Sequence, residues 1–310
     1  MSSQAFELLI LGSSSASPTA ERNQSAQLLN IAERHFLIDC GEATQIQLRR
    51  FKARFQKIDH IFISHLHGDH FFGLPGYLSS MHLLGRQQEL TIYAPKELKK
   101  VLDVIHEVSE TKLSYPVKWH FTDNKKQELL FEDDKVEVYS FPLKHRIYCT
   151  GFLFKEKPYQ RKIDKFLLEK HGVSTADIHL LRDGFDVTND KGEKVLNTKV
   201  TLDPPKPRTY AYCSDTIYDE TLVEFIKNAD LLYHESTFLD DKIDRAKITF
   251  HSTAKQAATI AKLSNAKKLL LGHFSARYGN LDQFVVEAKE VFDNCSLAIE
   301  GKVIQVEHSV

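Results

Sequence analysis

The apolar run Ile58–Ile63 leads into His65-Leu66-His67-Gly68-Asp69-His70. Three imidazoles and a carboxylate within six residues, at the end of what reads as a buried strand, point to metal binding. His65 and His67 are two apart, so on an extended segment they face the same side. Gly68 lets the chain turn sharply, and Asp69 and His70 then reach a second position beside the first. The motif therefore predicts two metal ions. A lone His-x-His carries little weight; four ligand-type residues where a strand gives way to a loop carry much more.

That arrangement recurs along the chain. Strand-like runs cover Phe6–Leu11, Ser25–Ile31, His35–Ile38, Glu89–Tyr93, Val136–Pro142, Thr209–Cys213, Asp230–Tyr233 and Lys268–Leu271. Helical patterns cover Thr44–Phe55, His70–Leu84, Pro95–Val108 and Ala254–Leu263, the last headed by His251-Ser252-Thr253. Pro75 is tolerable in the second of these only near a first turn. Strands alternating with helices predict an α/β layered fold. Asp39, His65, His145, Asp215, His234 with Glu235, and His273 each fall just past the C-terminal end of a predicted strand. Strand ends gathered at one rim of a sheet commonly form active sites.

A pair of zinc ions needs about seven or eight contacts, some of them water. The motif supplies four ligands, and His145, Asp215 and His273 are the natural remainder. One site would be His65, His67, His145 and Asp215. The other would be Asp69, His70, Asp215 and His273, with the Asp215 carboxylate bridging. Two metals about 3.5–4 Å apart favour attack by an activated water on a phosphate or carbonyl centre. Asp69 can also hold or accept the proton of that water. The departing oxygen needs a proton donor, and His251, oriented by Glu235, fits this role. His251 fits equally well as a residue at a helix N-terminus with no chemistry.

The chain has 310 residues, enough for one large domain or two modest ones. Its formal net charge of −1 gives no global attraction to nucleic acid, so such binding needs a local basic patch. Lys155–Pro207 is more charged than its surroundings and carries Pro158, Pro204, Pro205 and Pro207. Lys155, Lys157, Arg161, Lys162, Lys165 and Lys170 cluster in its first part. It reads as an insertion that projects from the main body; a solvated helical excursion would look similar. Cys40, Cys149, Cys213 and Cys295 form no Cys-x-x-Cys pair, which predicts buried, reduced thiols in a cytoplasmic protein. The opening MSSQAFELLILG has no basic n-region and reads as a strand, not a signal peptide. No stretch is long and apolar enough to predict a membrane span.

These motifs resemble the metallo-β-lactamase superfamily, whose signature is His-x-His-x-Asp-His followed by a distant His, Asp and His. Within it the chain resembles the ribonuclease Z family, endonucleases that remove 3′ trailers from precursor tRNA. The likeness runs nearly end to end, through LGSSSASPTAERNQSAQLL at 11–29, IDCGEATQIQL at 38–48 and SHLHGDHFFGLPG at 64–76. It continues through AYCSDT at 211–216, HESTF at 234–238, HSTAKQAA at 251–258 and GHFSARY at 272–278. The resemblance implies a four-layer αββα sandwich formed by residues 1–154 and 208–310, with an inserted flexible arm at 155–207. It implies two Zn²⁺ per subunit on His65, His67, Asp69, His70, His145, Asp215 and His273. Asp69 would be the proton acceptor, and His251 with Glu235 would assist departure of the 3′ oxygen. It further implies a homodimer in which one subunit's arm grips the elbow of a precursor tRNA cleaved by the other. Family arms carry a Gly-Pro ahead of a Leu-Lys-x-Gly stretch; here Ser174–His179 precedes Leu181-Arg182-Asp183-Gly184, without Gly-Pro.

Two other readings compete. Another hydrolase of the superfamily would act on a small phosphodiester, thioester or lactam. A non-catalytic RNA-binding scaffold would be expected to have lost ligands, and all seven are present.

Overall fold

The computed structural model describes residues 4–308. They fall into two compact units, one running to Lys155 and from Arg208 to Glu307, the other Glu156–Pro207 with His308.

The larger unit is built on two seven-stranded sheets. The first has the order Val303–Gln305, Phe6–Gly12, Ala26–Ile31, Arg34–Ile38, Ile58–Phe62, Leu90–Ala94, Val117–Phe121. The second has the order Cys295–Leu297, Leu269–Gly272, Leu231–Glu235, Thr209–Cys213, Thr150–Glu156, Val136–Pro142, Glu128–Glu132. Side chains alternate between the faces of a strand, and in the central strands both faces are covered, which is why strands such as Leu90–Ala94 and Leu231–Glu235 are buried throughout. Phe62 faces the other sheet: it stacks on Tyr93 with centroids 4.4 Å apart and meets Phe152 and Phe154 edge-on at 5.4 Å. Burying each such ring stabilises the fold by about 1.5–3 kcal/mol over leaving it exposed.

Ile61 and Ile63 point the opposite way, into a core shared with Leu48, Leu74, Tyr77 and Leu98. Those four come from the helices Thr44–Arg50, Leu74–Leu83 and Glu97–Val108. Leu232, Leu269 and Leu271 likewise bury their outer face against Ala254, Ala258 and Phe284 of the helices Ala254–Leu263 and Asp282–Lys289. The result is the helix–sheet–sheet–helix sandwich that the family resemblance implies.

Three details differ from expectation. The helix predicted over Thr44–Phe55 stops at Arg50, because Lys52 turns to φ +53° and the chain closes back through Ala53 N to Leu48 O at 2.9 Å. The helix predicted over His70–Leu84 is two helices, Gly68–Phe71 and Leu74–Leu83, with Pro75 in the first turn of the second. Its break lies at Gly73, packed so closely that a Cβ there would sit 2.0 Å from Gly41 O. His234 and Glu235 lie within the strand Leu231–Glu235, not past its end. Cys40, Cys149 and Cys213 are free and buried as expected, whereas Cys295 is partly exposed.

The smaller unit contains short helices Lys165–Lys170, Ile178–Arg182 and Asn197–Val200. Two short antiparallel pairs, Lys162–Ile163 with Thr201–Leu202 and Val187–Thr188 with Lys194–Val195, complete it. It has a core of its own: Leu168, Val173, Leu181, Val187, Val195 and Val200. Arg161 is tied within it, to Asp203 at 2.5 Å and Thr201 Oγ1 at 2.7 Å. Lys162, Lys165 and Lys170 are exposed. No helix among the described residues is long and apolar enough to cross a membrane.

Candidate metal centre

Parallel strands of both sheets end at the same rim. Arg34–Ile38 runs parallel to Ile58–Phe62, and Thr209–Cys213, Leu231–Glu235 and Leu269–Gly272 run parallel to one another. Their trailing loops, with the one after Val136–Pro142, bring His65, His67, His145 and Asp215 into one group of ligand-type atoms, all within 4.8 Å of each other. Asp69, His70 and His273 form a second such group. Asp215 joins the two. Its Oδ2 lies 3.5 Å from His65 Nε2 and 3.8 Å from His145 Nε2. Its Oδ1 lies 3.3 Å from His70 Nε2 and 3.2 Å from His273 Nε2.

The far nitrogens of these rings decide which atoms face inward. His145 Nδ1 lies 2.8 Å from Phe250 O, a carbonyl that can only accept, so Nδ1 carries the proton and Nε2 the lone pair. His70 Nδ1 donates to Asp39 Oδ2 at 2.7 Å. Ser64 Oγ gives its hydrogen to Asp39 Oδ2 at 2.9 Å, so it accepts from His65 Nδ1 at 3.0 Å. Thr237 Oγ1 gives its hydrogen to Glu235 Oε2 at 2.8 Å, so it accepts from His273 Nδ1 at 2.9 Å. Four rings thus turn bare Nε2 lone pairs toward the carboxylates. His67 turns Nδ1 inward instead, 3.1 Å from His65 Nε2 and 3.2 Å from His145 Nε2.

Lone pairs facing one another at such distances repel unless a cation lies among them. Zinc–nitrogen bonds of about 2.0–2.1 Å in a tetrahedron place ligand atoms about 3.4 Å apart, close to the spacings here. Asp215 Oδ1 is buried with no hydrogen bond to satisfy it. Oxygen-anchored imidazoles with inward lone pairs are the usual support of a metal ligand set. The residues present fit a divalent metal site.

The electrostatics agree. Burial pushes His67 and His145 down to about 4, so both are neutral, the form that ligates. Burial also acts against charge on His70, but Asp215, Asp69 and Asp39 outweigh it and hold the ring well above its ordinary value. Three carboxylates around one imidazole demand positive charge, which a proton or a metal ion can provide. Asp69 is held well below the ordinary range despite burial, by His70 and His273, and Ala16 N donates to its Oδ2 at 2.7 Å.

His251 and Glu235 lie beside this cluster. Glu235 is fully buried and fully partnered: Thr216 N and Ser252 N donate to Oε1 at 3.2 and 3.0 Å, and Thr237 N to Oε2 at 2.9 Å. His251 Nδ1 adds a contact to Oε1 at 2.8 Å. Against the cost of burial, Glu235 and then Asp215 raise His251 to about 9. Its Nδ1 is also within 4.0 Å of Asp215 Oδ2. The hydrogen bond to Glu235 engages that nitrogen, and Asp215, His251 and His273 form a third group of ligand-type atoms within 4.8 Å of one another. A capping box fixes the place of His251: Thr253 Oγ1 accepts from Gln256 N at 3.2 Å and Gln256 Oε1 from Thr253 N at 3.0 Å.

All nine predicted site residues therefore meet at one rim. Sequence reasoning missed their supports. Asp39 stood out as a strand-end carboxylate, yet its partners were not foreseeable: His70, Ser64 and, from the other sheet, Tyr212 Oη at 2.7 Å. Thr237 lay unremarked inside HESTF, and Phe250 acts only through its carbonyl. Asp39, Phe250 and His273 all have positive φ, +54°, +58° and +60°, a conformation non-glycine residues adopt mostly where structure enforces it. A cavity of about 330 Å³ opens over the cluster, lined in part by His67, Asp69, Asp215, His251 and His273.

Among solved structures, the short form of human tRNase Z resembles the chain with a TM-score of 0.70 and 29% identity, covering 97% of this chain and 99% of that one. A metallo-β-lactamase fold protein from Bacillus subtilis matches with a TM-score of 0.69 and 19% identity, over 98% of this chain and all of its own, which shows the fold. The family model described as anti-Pycsar protein Apyc1 matches residues 6–160. That stretch holds His65–His70 and His145 but stops short of Asp215, Glu235, His251 and His273. A ribonuclease Z of Cytophaga hutchinsonii is 48% identical over 302 residues, 97% of this chain and 96% of the relative. The chain belongs to the ribonuclease Z family. A ribonuclease Z of Bacteroides fragilis is 42% identical over 301 residues, 97% of this chain and 99% of the relative. Membership of the ribonuclease Z family, on a metallo-β-lactamase sandwich, accounts for the whole rim and not only the half around His65–His70.

Proposed function

We propose that the chain is a zinc-dependent endoribonuclease that removes 3′ trailers from precursor tRNA and leaves a 3′ hydroxyl on the tRNA. The observation that carries the reading is the seven-residue cluster with inward lone pairs and a charged His251 beside it, in a chain of the ribonuclease Z family. Two Zn²⁺ per subunit would be held by His65, His67, His145 and Asp215, and by Asp69, His70, His273 and Asp215. When bound, such ions lower the pKa of water and neutralise charge on the attacked phosphate. Asp69, kept ionised and oriented by Ala16 N, takes the proton of the attacking water. The new P–O bond forms as the bond to the 3′ oxygen breaks. His251, charged and held by Glu235, gives its proton to that oxygen.

The 155–207 insertion is read as the tRNA-binding arm. Lys162, Lys165 and Lys170 on a unit with its own core suit contact with phosphates. The homodimer and the cytoplasmic location follow from the family resemblance; the free, buried Cys40, Cys149 and Cys213 suit a reducing compartment. The test is Asp69→Ala, assayed on a 3′-extended tRNA. The variant should stay folded and lose at least about a hundredfold in rate, the share a positioned proton acceptor supplies. An active Asp69→Ala enzyme contradicts the mechanism.

A further inference from the structure

Arg146 and Phe72 line the cavity over the metal centre and have no part in the chemistry above. Arg146 is the one lysine or arginine among its described lining residues. It is exposed, and its guanidinium makes no hydrogen bond or ion pair among the described residues. The backbone around it is pinned. Leu143 N donates to Cys149 O at 3.2 Å, closing the loop, and Ile217 N donates to Lys144 O at 2.9 Å. Lys144 Nζ pairs with Asp219 at 2.9 Å, and the neighbouring His145 is tied to Phe250 O. A short loop fixed at its base thus presents a free cation at the mouth of the site.

Phe72 is 61% exposed, unusual for a phenylalanine beside a buried polar cluster. It follows the Gly68–Phe71 helix, and its ring rests where a Cβ on Gly68 would lie only 2.3 Å away. Buried Phe71 meets it edge-on at 4.9 Å. The ring is therefore braced, not loose.

We propose that Arg146 and Phe72 form a nucleotide subsite at the cavity mouth, Arg146 holding a backbone phosphate next to the cut and Phe72 stacking on a base beside it. This rests on the RNA-cleaving reading above and names residues that would position the strand. The ions that Asp69 and Asp215 would hold serve the phosphate being cut, so a phosphate next to it needs a cation of its own. A guanidinium suits phosphate oxygens through its paired donors. A braced, exposed ring binds any base by its π-face, the recognition a nuclease needs when trailer sequence varies.

The experiment is steady-state cleavage of a 3′-extended tRNA by Arg146→Gln and Phe72→Leu across a KCl series. Each variant should raise KM about tenfold while kcat changes less than about threefold. Arg146→Gln should also flatten the salt dependence of log kcat/KM by about 0.7–0.9, one phosphate contact fewer, and Arg146→Lys should keep it. Phe72→Tyr should restore KM. Both side chains are exposed, so thermal midpoints should match the parent. A parental KM and salt slope in Arg146→Gln, or a parental KM in Phe72→Leu, overturns the subsite. If the parent chain hydrolyses bis-p-nitrophenyl phosphate but leaves tRNA intact, the tRNA reading fails separately. The subsite is then read on the 5′-p-nitrophenyl phosphate of a thymidine dinucleotide, which carries a second phosphate beside the scissile one; both variants should raise KM there, and unchanged values overturn it.

Discussion

Asp39 bears on the candidate metal centre through His70 directly and through Ser64, which anchors His65. Its Oδ2 takes Nδ1–H of the His70 ring and hydrogen bonds from Ser64 Oγ and Tyr212 Oη, so one buried carboxylate orients a ligand and joins the two sheets. Asp39→Asn keeps the shape but removes the charge that polarises His70. Zinc affinity, measured by competition with a chelating dye, should fall about 10–100-fold, the usual effect of losing such a support. Affinity equal to the parent would show that His70 is positioned by packing alone. At this scale the cluster was legible in the sequence, because His65–His70 and the strand-end His145, Asp215 and His273 are residue types suited to metal. The supports were not. An anchoring oxygen can be any residue's, and the Phe250 carbonyl has no side-chain signature at all. His251 stood between two readings on spacing alone, and the 2.8 Å contact with Glu235 is what supports proposing it as a proton donor.

Among the elements, strands buried on both faces were the easiest to read, as at Ile58–Phe62, Thr209–Cys213 and Val136–Pro142. The strand Thr150–Glu156 escaped, since TGFLFKE opens with Thr and Gly and closes with two charged residues. The edge strands Val117–Phe121 and Glu128–Glu132 escaped because half-exposed positions blur the pattern. The continuous helical pattern over His70–Leu84 hid a break that tertiary packing imposes at Gly73. There the start of the second helix crosses the Cys40–Gly41 turn, with Gly73 N donating to Cys40 O at 2.9 Å. Gly73→Ala should therefore destabilise the fold by about 1–3 kcal/mol through overpacking, read from denaturant unfolding. An unchanged midpoint would mean that the crossing relaxes freely.

For the molecule as a whole, a net charge of −1 conceals what the chain can grip, because attraction to RNA must come from local groups. The boundaries of the charged insertion were visible as a change in texture, and the compact unit Glu156–Pro207 falls there. That its lysines touch tRNA is a proposal that rests on family resemblance. Lys155 and Thr209 are register partners on neighbouring antiparallel strands, which sets Glu156 opposite Arg208, so removing 157–207 leaves two strand ends that a two-residue Asn-Gly turn can close. That deletion should abolish cleavage of 3′-extended tRNA while sparing hydrolysis of bis-p-nitrophenyl phosphate; undiminished tRNA cleavage would remove the arm from the account. The central claim, a metal-dependent cut at the 3′ end of tRNA, is tested most directly by mapping the ends of a precursor tRNA treated with the intact chain. The account predicts a single cut after the discriminator nucleotide, a 3′ hydroxyl on the tRNA, loss of cutting with a chelator and its return with zinc. No cut, scattered cuts, or cutting that persists in chelator would contradict it.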